Sequence, residues 1–358
     1  MRKLVVLIFC LFHTSFLFVN CAHSSKRSRP PVTAIKLLSK NKKITLGTEF
    51  EIQLKTKIKD GSFRNTEVFL DGKSLLISDK IDFNAQIKTS ELGVGTHIIK
   101  AISTTNEGVA GENFSEFLLL SDVKPVKYDY KVIRTYPHNP DYFTEGLEFN
   151  NGYLYEGTGQ EGSSAIYKVD LLTSKVLKSY KIEDQYFGEG ITILNNKLYQ
   201  LTYKSQLGFV RNLTTFDVLK TWNYKNLQGW GLTNDGSSII MSDGTEFIYF
   251  IDPQTFSVNK KIQVCNQSET INNINELEYI NGEIWANIWM TDTVIKIDPK
   301  SGKVLAEIDL SGILPANLSN QKNPADVLNG IAFDKSKNKI VITGKYWPKL
   351  FEIQLVKH

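Results

Sequence analysis

The feature of this sequence that most constrains its fold is a strand pattern that recurs five times between residues 145 and 353. Each copy has a short apolar strand, a turn and a second strand, and most copies add a third strand that ends near an aspartate, as in 145–149, 153–155 and 165–170. Equivalent points of the first strands recur at intervals of roughly 40 to 55 residues, the length of a four-stranded propeller blade. These register points are Gly146, Gly190, Gly231, Glu276 and Gly330.

The two ends of the repeat region complement each other. The fifth repeat stops after three strands at His358, and residues 130–136, ahead of the first repeat, can supply its missing outer strand. Strand repeats cannot bury their faces alone, so the copies must stack, and closure of the ring protects the edges. An open β-solenoid is the alternative, but five copies plus a spare strand favour closure. We therefore predict an all-β chain in which residues 128–358 form a five-bladed β-propeller domain.

A second domain precedes the repeats. Residues 32–122 contain short alternating segments such as 50–54, and Asp71-Gly72 is a tight-turn signal between two apolar runs. No long helical period is present. The length and pattern fit a small immunoglobulin-like β-sandwich, joined to the propeller by a linker at residues 123–126. We find no catalytic constellation in this domain.

The N-terminus predicts export. Residues 1–21 begin with Arg2 and Lys3 and continue with an apolar stretch that is short and polar-broken for a membrane span. Cys21 ends it, and a polar spacer, residues 22–31, follows; this arrangement is typical of the lipidation site of a bacterial lipoprotein. Ordinary secretion with cleavage near Cys21 or Ala22 is the alternative. The expected location is periplasmic or on the outer surface, with a lipid anchor as the sole membrane attachment.

The composition and motifs of the sequence argue against several functional classes of protein. A net charge of +4 without a basic stripe does not indicate nucleic-acid binding. Cys265 is the one cysteine left in the folded part, so no internal disulfide is expected and we assign this thiol no chemistry. His138 is the sole histidine near a repeat motif, so no His-rich zinc site is available. No nucleophile elbow, P-loop or dinucleotide fingerprint occurs in a supporting context.

The predicted fold also locates a site. The first strand of each blade lines the central channel, so the residues just before the register points converge at one mouth: Glu145, Glu189, Trp230, Asn275 and Asn329. The loops after the second strands face the same mouth and carry 159–161, 203–204, Asp243, Trp289 and Lys345. Aromatic, carboxylate, amide and lysine side chains together indicate a site for a small polar organic ligand. Position alone does not name a reaction.

Six ordered motifs resemble the plant and bacterial type of glutaminyl-peptide cyclotransferase: residues 138–147, 186–191, 229–233, 275–278, 284–289 and 343–349. The resemblance covers about residues 128–358 and not the N-terminal domain. It implies a five-bladed propeller and an acyltransferase that converts the N-terminal glutamine of peptides to pyroglutamate, with release of ammonia.

The resemblance also implies a set of site residues. The family's essential acid is matched by Glu189, and Lys345 is the second expected catalytic residue. The substrate-binding residues are expected to be Phe143, Glu145, Phe187, Tyr203, Trp230, Asn275 and Trp289. Two positions depart from the family's pattern, because Glu145 replaces a frequent Gln and Tyr203 a frequent Trp. Tyr203 preserves an aromatic wall, whereas Glu145 adds a charge.

These residue types also suit the ring closure of glutamine chemically, independently of the family resemblance. The attacking α-amine must be neutral, and a carboxylate such as Glu189 can take up its proton and pass it to the leaving nitrogen. Negative charge develops on the amide oxygen, where a Lys345 or Asn275 donor would stabilise it. No metal is needed for this scheme, and no cofactor is expected, although a structural Ca²⁺ in the channel is compatible with the sequence.

Two other functions remain open at this point. The first is a non-catalytic surface propeller that binds peptides or glycans; it would have no need of the acid Glu189 opposite the donor Lys345. The second is a propeller enzyme of another class, such as a lactonase, in which Asn275, Asn329 and Glu189 would bind a metal. The main hypothesis predicts peptide or protein substrates with N-terminal glutamine, no nucleic-acid partner and a monomer.

Overall fold

The computed structural model describes residues 28–39, 42–318 and 324–358. The predicted export signal and Cys21 lie outside these ranges. Within them the chain is all-β, and the one helical segment is a single 3₁₀ turn at Ala316–Leu318. No helix of the described part has the length and apolar character needed to cross a membrane.

The N-terminal part forms two facing sheets. Their strands are β1 (Val32–Leu37), β2 (Lys43–Thr45), β3 (Phe50–Lys57), β4 (Phe63–Leu70), β5 (Lys73–Ser78), β6 (Asp82–Ile87), β7 (Gly95–Thr105) and β8 (Ala110–Leu120). The sheet orders are β1-β3-β6 and β2-β8-β7-β4-β5. Alternating apolar residues of both sheets, among them Ile52, Leu54 and Ile99, are fully buried between them. The predicted tight turn is confirmed, since Asp71 and Gly72 both have positive φ, at 49° and 81°, as a two-residue hairpin turn requires.

The repeats fold into four-stranded antiparallel units, preceded by β9 (Val126–Pro137). Three units are separate sheets. The first consists of β10 (Thr144–Asn150), β11 (Tyr153–Thr158), β12 (Ala165–Val169) and β13 (Val176–Lys181), and the second of β14 (Gly188–Leu194), β15 (Lys197–Thr202), β16 (Leu207–Asn212) and β17 (Val218–Asn223). The third consists of β18 (Leu232–Asn234), β19 (Ile239–Ser242), β20 (Phe247–Ile251) and β21 (Val258–Gln263). The remaining strands are β22 (Ile274–Ile280), β23 (Glu283–Ile288), β24 (Thr293–Ile297), β25 (Val304–Asp309), β26 (Leu328–Asp334), β27 (Lys339–Gly344) and β28 (Lys349–Lys357).

The last strands form a nearly closed eight-stranded sheet, in the order β22-β23-β24-β25-β9-β28-β27-β26. β9 pairs antiparallel with β28, with Tyr136 opposite Leu350, so the predicted completion of the last repeat by residues 130–136 is confirmed. The start of β9 also pairs in parallel with β25. Strands from the two ends of the repeat region are therefore hydrogen-bonded directly to each other.

The first strands of the repeats contact one another in a cycle that runs from β10 to β14, β18, β22, β26 and back to β10. Glycine permits this close approach: a Cβ at Gly190 would lie 2.5 Å from the nitrogen of Leu232, and one at Gly231 would lie 2.1 Å from the oxygen of Asn275. At the fourth register point the carboxylate of Glu276 accepts hydrogen bonds from the amides of Leu147 and Ile331. Glu276 thereby connects β22 to β10 and β26.

The N-terminal sheets are joined to the repeat region by direct hydrogen bonds. The amide of Val94 donates to the oxygen of Ser301 at 3.0 Å, and the amide of Ser121 donates to the oxygen of Asn266 at 3.0 Å. The side chain of Gln263 accepts from the amide of Thr96 at 2.7 Å. These contacts involve the third and fourth repeats.

Candidate active site

A cavity of about 640 Å³ opens where the first strands of the repeats begin. Eight side chains that the sequence predicts as site residues line it: Phe143, Glu145, Phe187, Glu189, Tyr203, Trp230, Asn275 and Trp289. Lys345 is not among the lining residues, although it is buried and contacts one of them, as described below. Four of the five residues that precede the register points therefore line the cavity as the repeat pattern predicts, and the fifth, Asn329, hydrogen-bonds to Glu145.

Local irregularities of the inner strands aim these side chains at the cavity. The pairing register shifts between Thr144 and Gly146 in β10, between Gly188 and Ile191 in β14, and between Ile274 and Leu277 in β22. Such bulges redirect a side chain and are frequent beside active sites. Glu145, Glu189 and Asn275 each lie within one of these irregular positions.

Aromatic rings form the walls. The ring of Phe187 lies with its centroid 6.0 Å from that of Phe143 and 5.6 Å from that of Tyr203. On the other side Trp230 meets Trp289 edge to face at 5.6 Å. Tyr203, which stands where the family often has Trp, keeps its place in this wall. These rings exclude water and strengthen electrostatic interactions at the carboxyl groups.

Glu145 is held by three neighbours. Lys345 donates from Nζ to its Oε1 at 2.6 Å, and Asn329 donates from Nδ2 to its Oε2 at 3.2 Å. Glu189 hydrogen-bonds its side chain. Burial raises the pKa of Glu145 to about 7, while Lys345 and the hydrogen bond from Glu189 oppose the rise. A cation and two donors thus favour the negative form of Glu145 against the effect of its burial.

Glu189 is the protonated partner of this carboxyl pair. Its pKa is raised well above the ordinary value, first by burial and next by the charge of Glu145, while Lys345 acts in the opposite direction. Two carboxyl groups in one dry site resist ionising together, and the proton stays on the group without a cation of its own. The negative charge of the pair is therefore favoured on Glu145, beside the Lys345 ammonium, and the proton is favoured on Glu189.

The side-chain amide of Asn275 completes the polar set. It lines the cavity, and it has no hydrogen-bond partner among the described residues, while its backbone oxygen accepts from Ser242. A free amide donor beside two carboxyl groups can stabilise negative charge that develops on a bound carbonyl oxygen.

His138 braces the edge of the cavity. Nδ1 of its ring donates to the oxygen of Trp347, and Nε2 lies 3.0 Å from Oε1 of Glu156, which also accepts from Thr144 at 2.7 Å. Glu156 raises the pKa of His138, although burial opposes the charged form. Thr144 directly precedes Glu145, and Trp347 follows Lys345 by two positions. The buried His138–Glu156 pair therefore supports the backbone on both sides of the Glu145–Lys345 ion pair.

The sequence did not single out every residue of the cavity. The loops before Trp230 and Asn275 and the turn after β19 add lining residues without a repeated signal: Leu227, Gln228, Gly244, Thr245 and Asn273. Gln160 and Asp243, which the repeat pattern placed at this mouth, also line it. Gln228 and Asn273 could have been predicted as lining residues only because they lie close in sequence to Trp230 and Asn275.

Three more carboxyl groups lie deeper along the inner strands; Glu276 and Glu278 are buried and Glu148 is half-buried. Burial raises the pKa of Glu148 to about 7, and burial together with neighbouring charges raises the pKa values of Glu276 and Glu278 well above the ordinary range. Each accepts hydrogen bonds from backbone amides, for example that of Phe333 to Glu278 at 2.8 Å. No described lysine or arginine forms an ion pair with these three side chains.

These groups predict a stability maximum on the acid side of neutrality. Their folded-state pKa values exceed the unfolded value near 4.5, so the stabilisation is complete below that pH. It is lost as pH rises through the raised folded-state pKa values, which are about 7 for Glu145 and Glu148. We expect the melting temperature to fall by roughly 5 °C or more between pH 5 and pH 8. Differential scanning calorimetry of the wild type and of Glu148→Gln tests this, because the variant should show the shallower profile. A flat or rising profile in the wild type would contradict the assignment.

Across the described ranges, no group of three or more His, Cys, Asp or Glu side chains is placed to hold a metal ion. Cys265 is fully buried, and burial raises the pKa of its thiol to about 12, so it carries no thiolate at neutral pH. Independence of the chemistry from metals stays a prediction.

This all-β protein therefore has a cycle of contacting inner strands and a carboxyl pair in an aromatic-walled cavity, an arrangement suited to acid–base catalysis. The family model described as "Glutamine cyclotransferase" matches residues 101–355. The chain belongs to this glutamine cyclotransferase family.

Two relatives agree with the assignment. A glutaminyl-peptide cyclotransferase of Arabidopsis thaliana is 42% identical over 228 residues, which are 63% of this chain and 71% of the relative. The crystal structure of Myxococcus xanthus glutaminyl cyclase matches with a TM-score of 0.61 and 33% identity, covering 66% of this chain and 100% of that chain. The family resemblance inferred from six motifs is thereby confirmed.

Proposed function

We propose that this protein is a glutaminyl-peptide cyclotransferase that converts the N-terminal glutamine of peptides to pyroglutamate. The observation that carries the proposal is the pair of buried carboxyl groups, Glu145 and Glu189, that line one aromatic-walled cavity. A proton-sharing pair of this kind suits a reaction that moves one proton from an attacking to a leaving nitrogen. Membership of the family and the names of its relatives point to the same activity.

In the proposed reaction the α-amine of the substrate attacks the carbonyl carbon of its own side-chain amide. A carbon–nitrogen bond forms, the ring closes, and the carbonyl oxygen becomes negatively charged. Glu189, once ionised, takes the proton from the amine and delivers it to the amide nitrogen, which leaves as ammonia while the carbonyl re-forms. Asn275 is the proposed donor to the transient oxyanion. The aromatic walls, Trp230 among them, would hold the substrate in the folded-back conformation that closure requires.

Lys345 is proposed to act on this reaction through Glu145. Its ammonium is 2.6 Å from the Glu145 carboxylate, so it sets the charge of the pair and thereby the readiness of Glu189 to ionise. The sequence predicts that Lys345 also contacts the substrate amide; that role requires its ammonium to turn from Glu145 when substrate binds, and it stays a prediction.

We propose the following domain organisation. Residues 128–358 form a five-bladed β-propeller, a proposal supported by the cyclic order of contacts among the inner strands. Residues 32–122 form an immunoglobulin-like sandwich, supported by two facing sheets with one apolar core. Residues 1–21 would direct export and residues 22–31 would act as a spacer, with Cys21 as the lipid-bearing residue of a monomeric, periplasmic or outer-surface protein.

The activity predicts ammonia release without a metal. Purified protein incubated with a Gln-initiated dipeptide should release one ammonia per pyroglutamyl product, and strong chelation should leave the initial rate nearly unchanged. An N-acetylated Gln dipeptide is the matched control, because it lacks the nucleophile and should release none. Ammonia from the acetylated peptide would indicate an amidase instead. Loss of activity that zinc alone restores would contradict metal independence.

A further inference from the structure

The cavity extends beyond the space that one glutamine needs. At about 640 Å³ it lies in the range of clefts that bury a drug-sized ligand, roughly 300–1,000 Å³. Glu145 and Glu189 belong to the first and second repeats, whereas Asp243, Thr245 and Asn273 line the part contributed by the third and fourth. These three residues, the second part of the cavity, have no role in the ring closure proposed above.

Asp243 gives the second part its charge. Its Oδ2 accepts from Nδ2 of Asn226 at 2.7 Å and from the hydroxyl of Tyr249 at 3.0 Å, and its Oδ1 accepts from the amide of Thr245 at 3.1 Å. All these donors are neutral, and no described lysine, arginine or histidine forms an ion pair with Asp243. The carboxylate is therefore held in place while its charge stays uncompensated.

The surroundings of Asp243 suit a cation with an aliphatic stem. Gly244 packs against Trp230, since a Cβ there would lie 2.6 Å from the indole, so the Asp243 turn borders the indole pair of Trp230 and Trp289. Indole faces attract cations. At the rim Leu227 is 82% exposed and Trp289 is 39% exposed, which leaves apolar surface for the methylenes of a long side chain. No lysine, arginine or histidine is among the described residues that line the cavity.

We infer that Asp243 and its aromatic border form a subsite for an arginine or lysine side chain at the second or third residue of the substrate. The inference rests on the proposed cyclotransferase function and narrows its substrate class to Gln-initiated peptides with an early basic residue. The terminal α-amine of the substrate does not bind at Asp243 in this arrangement, because it must reach the side-chain amide beside Glu189.

The test is a comparison of kcat/KM for Gln-Xaa-Ala-Ala and Gln-Ala-Xaa-Ala, with Xaa as Arg, Gln or Glu. In one of the two series the wild type should favour Arg over Glu by about fivefold to tenfold at low salt, with less preference as ionic strength rises. Asp243→Asn keeps the size of the side chain and should abolish most of that preference. Asp252→Asn, which alters a similar turn outside the cavity, is the control and should retain it.

Two results would overturn the subsite. One is equal kcat/KM for Arg and Glu peptides in the wild type in both series. The other is an equal loss for every peptide in Asp243→Asn, which would assign Asp243 to the turn or to the terminal amine. Binding of the same peptides, followed by tryptophan fluorescence, separates this failure from that of the function. Absence of ammonia release from any Gln peptide contradicts the cyclotransferase, whereas equal binding of Arg and Glu peptides contradicts the subsite.

Discussion

Glu189→Gln is expected to lower the turnover of Gln-initiated peptides by roughly 10²–10⁴-fold, the range typical of a general acid–base residue. The substitution keeps the shape of the side chain and its ability to donate a hydrogen bond to Glu145, but it removes the group that carries the proton. Because the raised pKa of Glu189 favours its neutral form, the glutamine variant resembles that favoured form. The fold and substrate affinity should therefore change little.

Glu278→Gln is the matched control for this variant. Glu278 is likewise buried on an inner strand and its pKa is likewise raised, but it does not line the cavity. Steady-state ammonia release should be near the wild-type rate in Glu278→Gln and nearly absent in Glu189→Gln, with similar melting temperatures. Normal turnover in Glu189→Gln would remove this residue from the mechanism, and an equal loss in both variants would indicate a general effect of the inner-strand carboxyl groups.

The repeat pattern of the sequence predicted most of the strands. Strands such as β10, β11 and β12 follow from short apolar runs bounded by turns, and four of the five register points fall on the inner strands as expected. The start of the third repeat differs from that of the other repeats. Its residues Trp230 and Gly231 are hydrogen-bonded to Ser242 and lie ahead of the inner strand β18 (Leu232–Asn234). Local hydrogen bonding there prevails over the apolar pattern.

The contacts of Lys345 could not be predicted in the same way. Its partner Glu145 is 200 positions away, and the two meet because β9 and β28 bring the ends of the repeat region together. The sequence identified Glu145 and Lys345 as site residues, but it predicted that Lys345 contacts the substrate and not Glu145.

The loop residues of the cavity were the least predictable. Leu227, Gln228 and Asn273 follow no period, and their places depend on how each loop crosses to its neighbouring repeat. Asp243 was placed at the mouth by the repeat pattern, but its uncompensated charge is a property of the neighbours Asn226 and Tyr249, which only the folded structure identifies.

Lys345→Met and Glu145→Gln are expected to shift the acidic limb of the pH–rate profile in opposite directions. Removal of the Lys345 cation should raise the pKa of Glu189, because a positive charge that favours its ionised form is lost, and the limb should move up by about one pH unit or more. Below the limb this lowers turnover by about tenfold per unit. Glu145→Gln removes the like charge and should move the limb to lower pH.

Stability separates this electrostatic role from simple damage to the fold. Lys345→Met leaves the buried carboxylate of Glu145 without its cation, which typically costs about 3–5 kcal/mol, and the double variant Glu145→Gln/Lys345→Met should recover much of that loss because no buried charge remains unpaired. Denaturant unfolding of the four proteins gives the coupling energy, and their pH–rate profiles give the limbs. Limbs that move in the same direction in the two single variants would contradict control of Glu189 by this ion pair. A double variant no more stable than Lys345→Met would show that the lysine acts by packing, because relief through Glu145 requires the charge to be the cause.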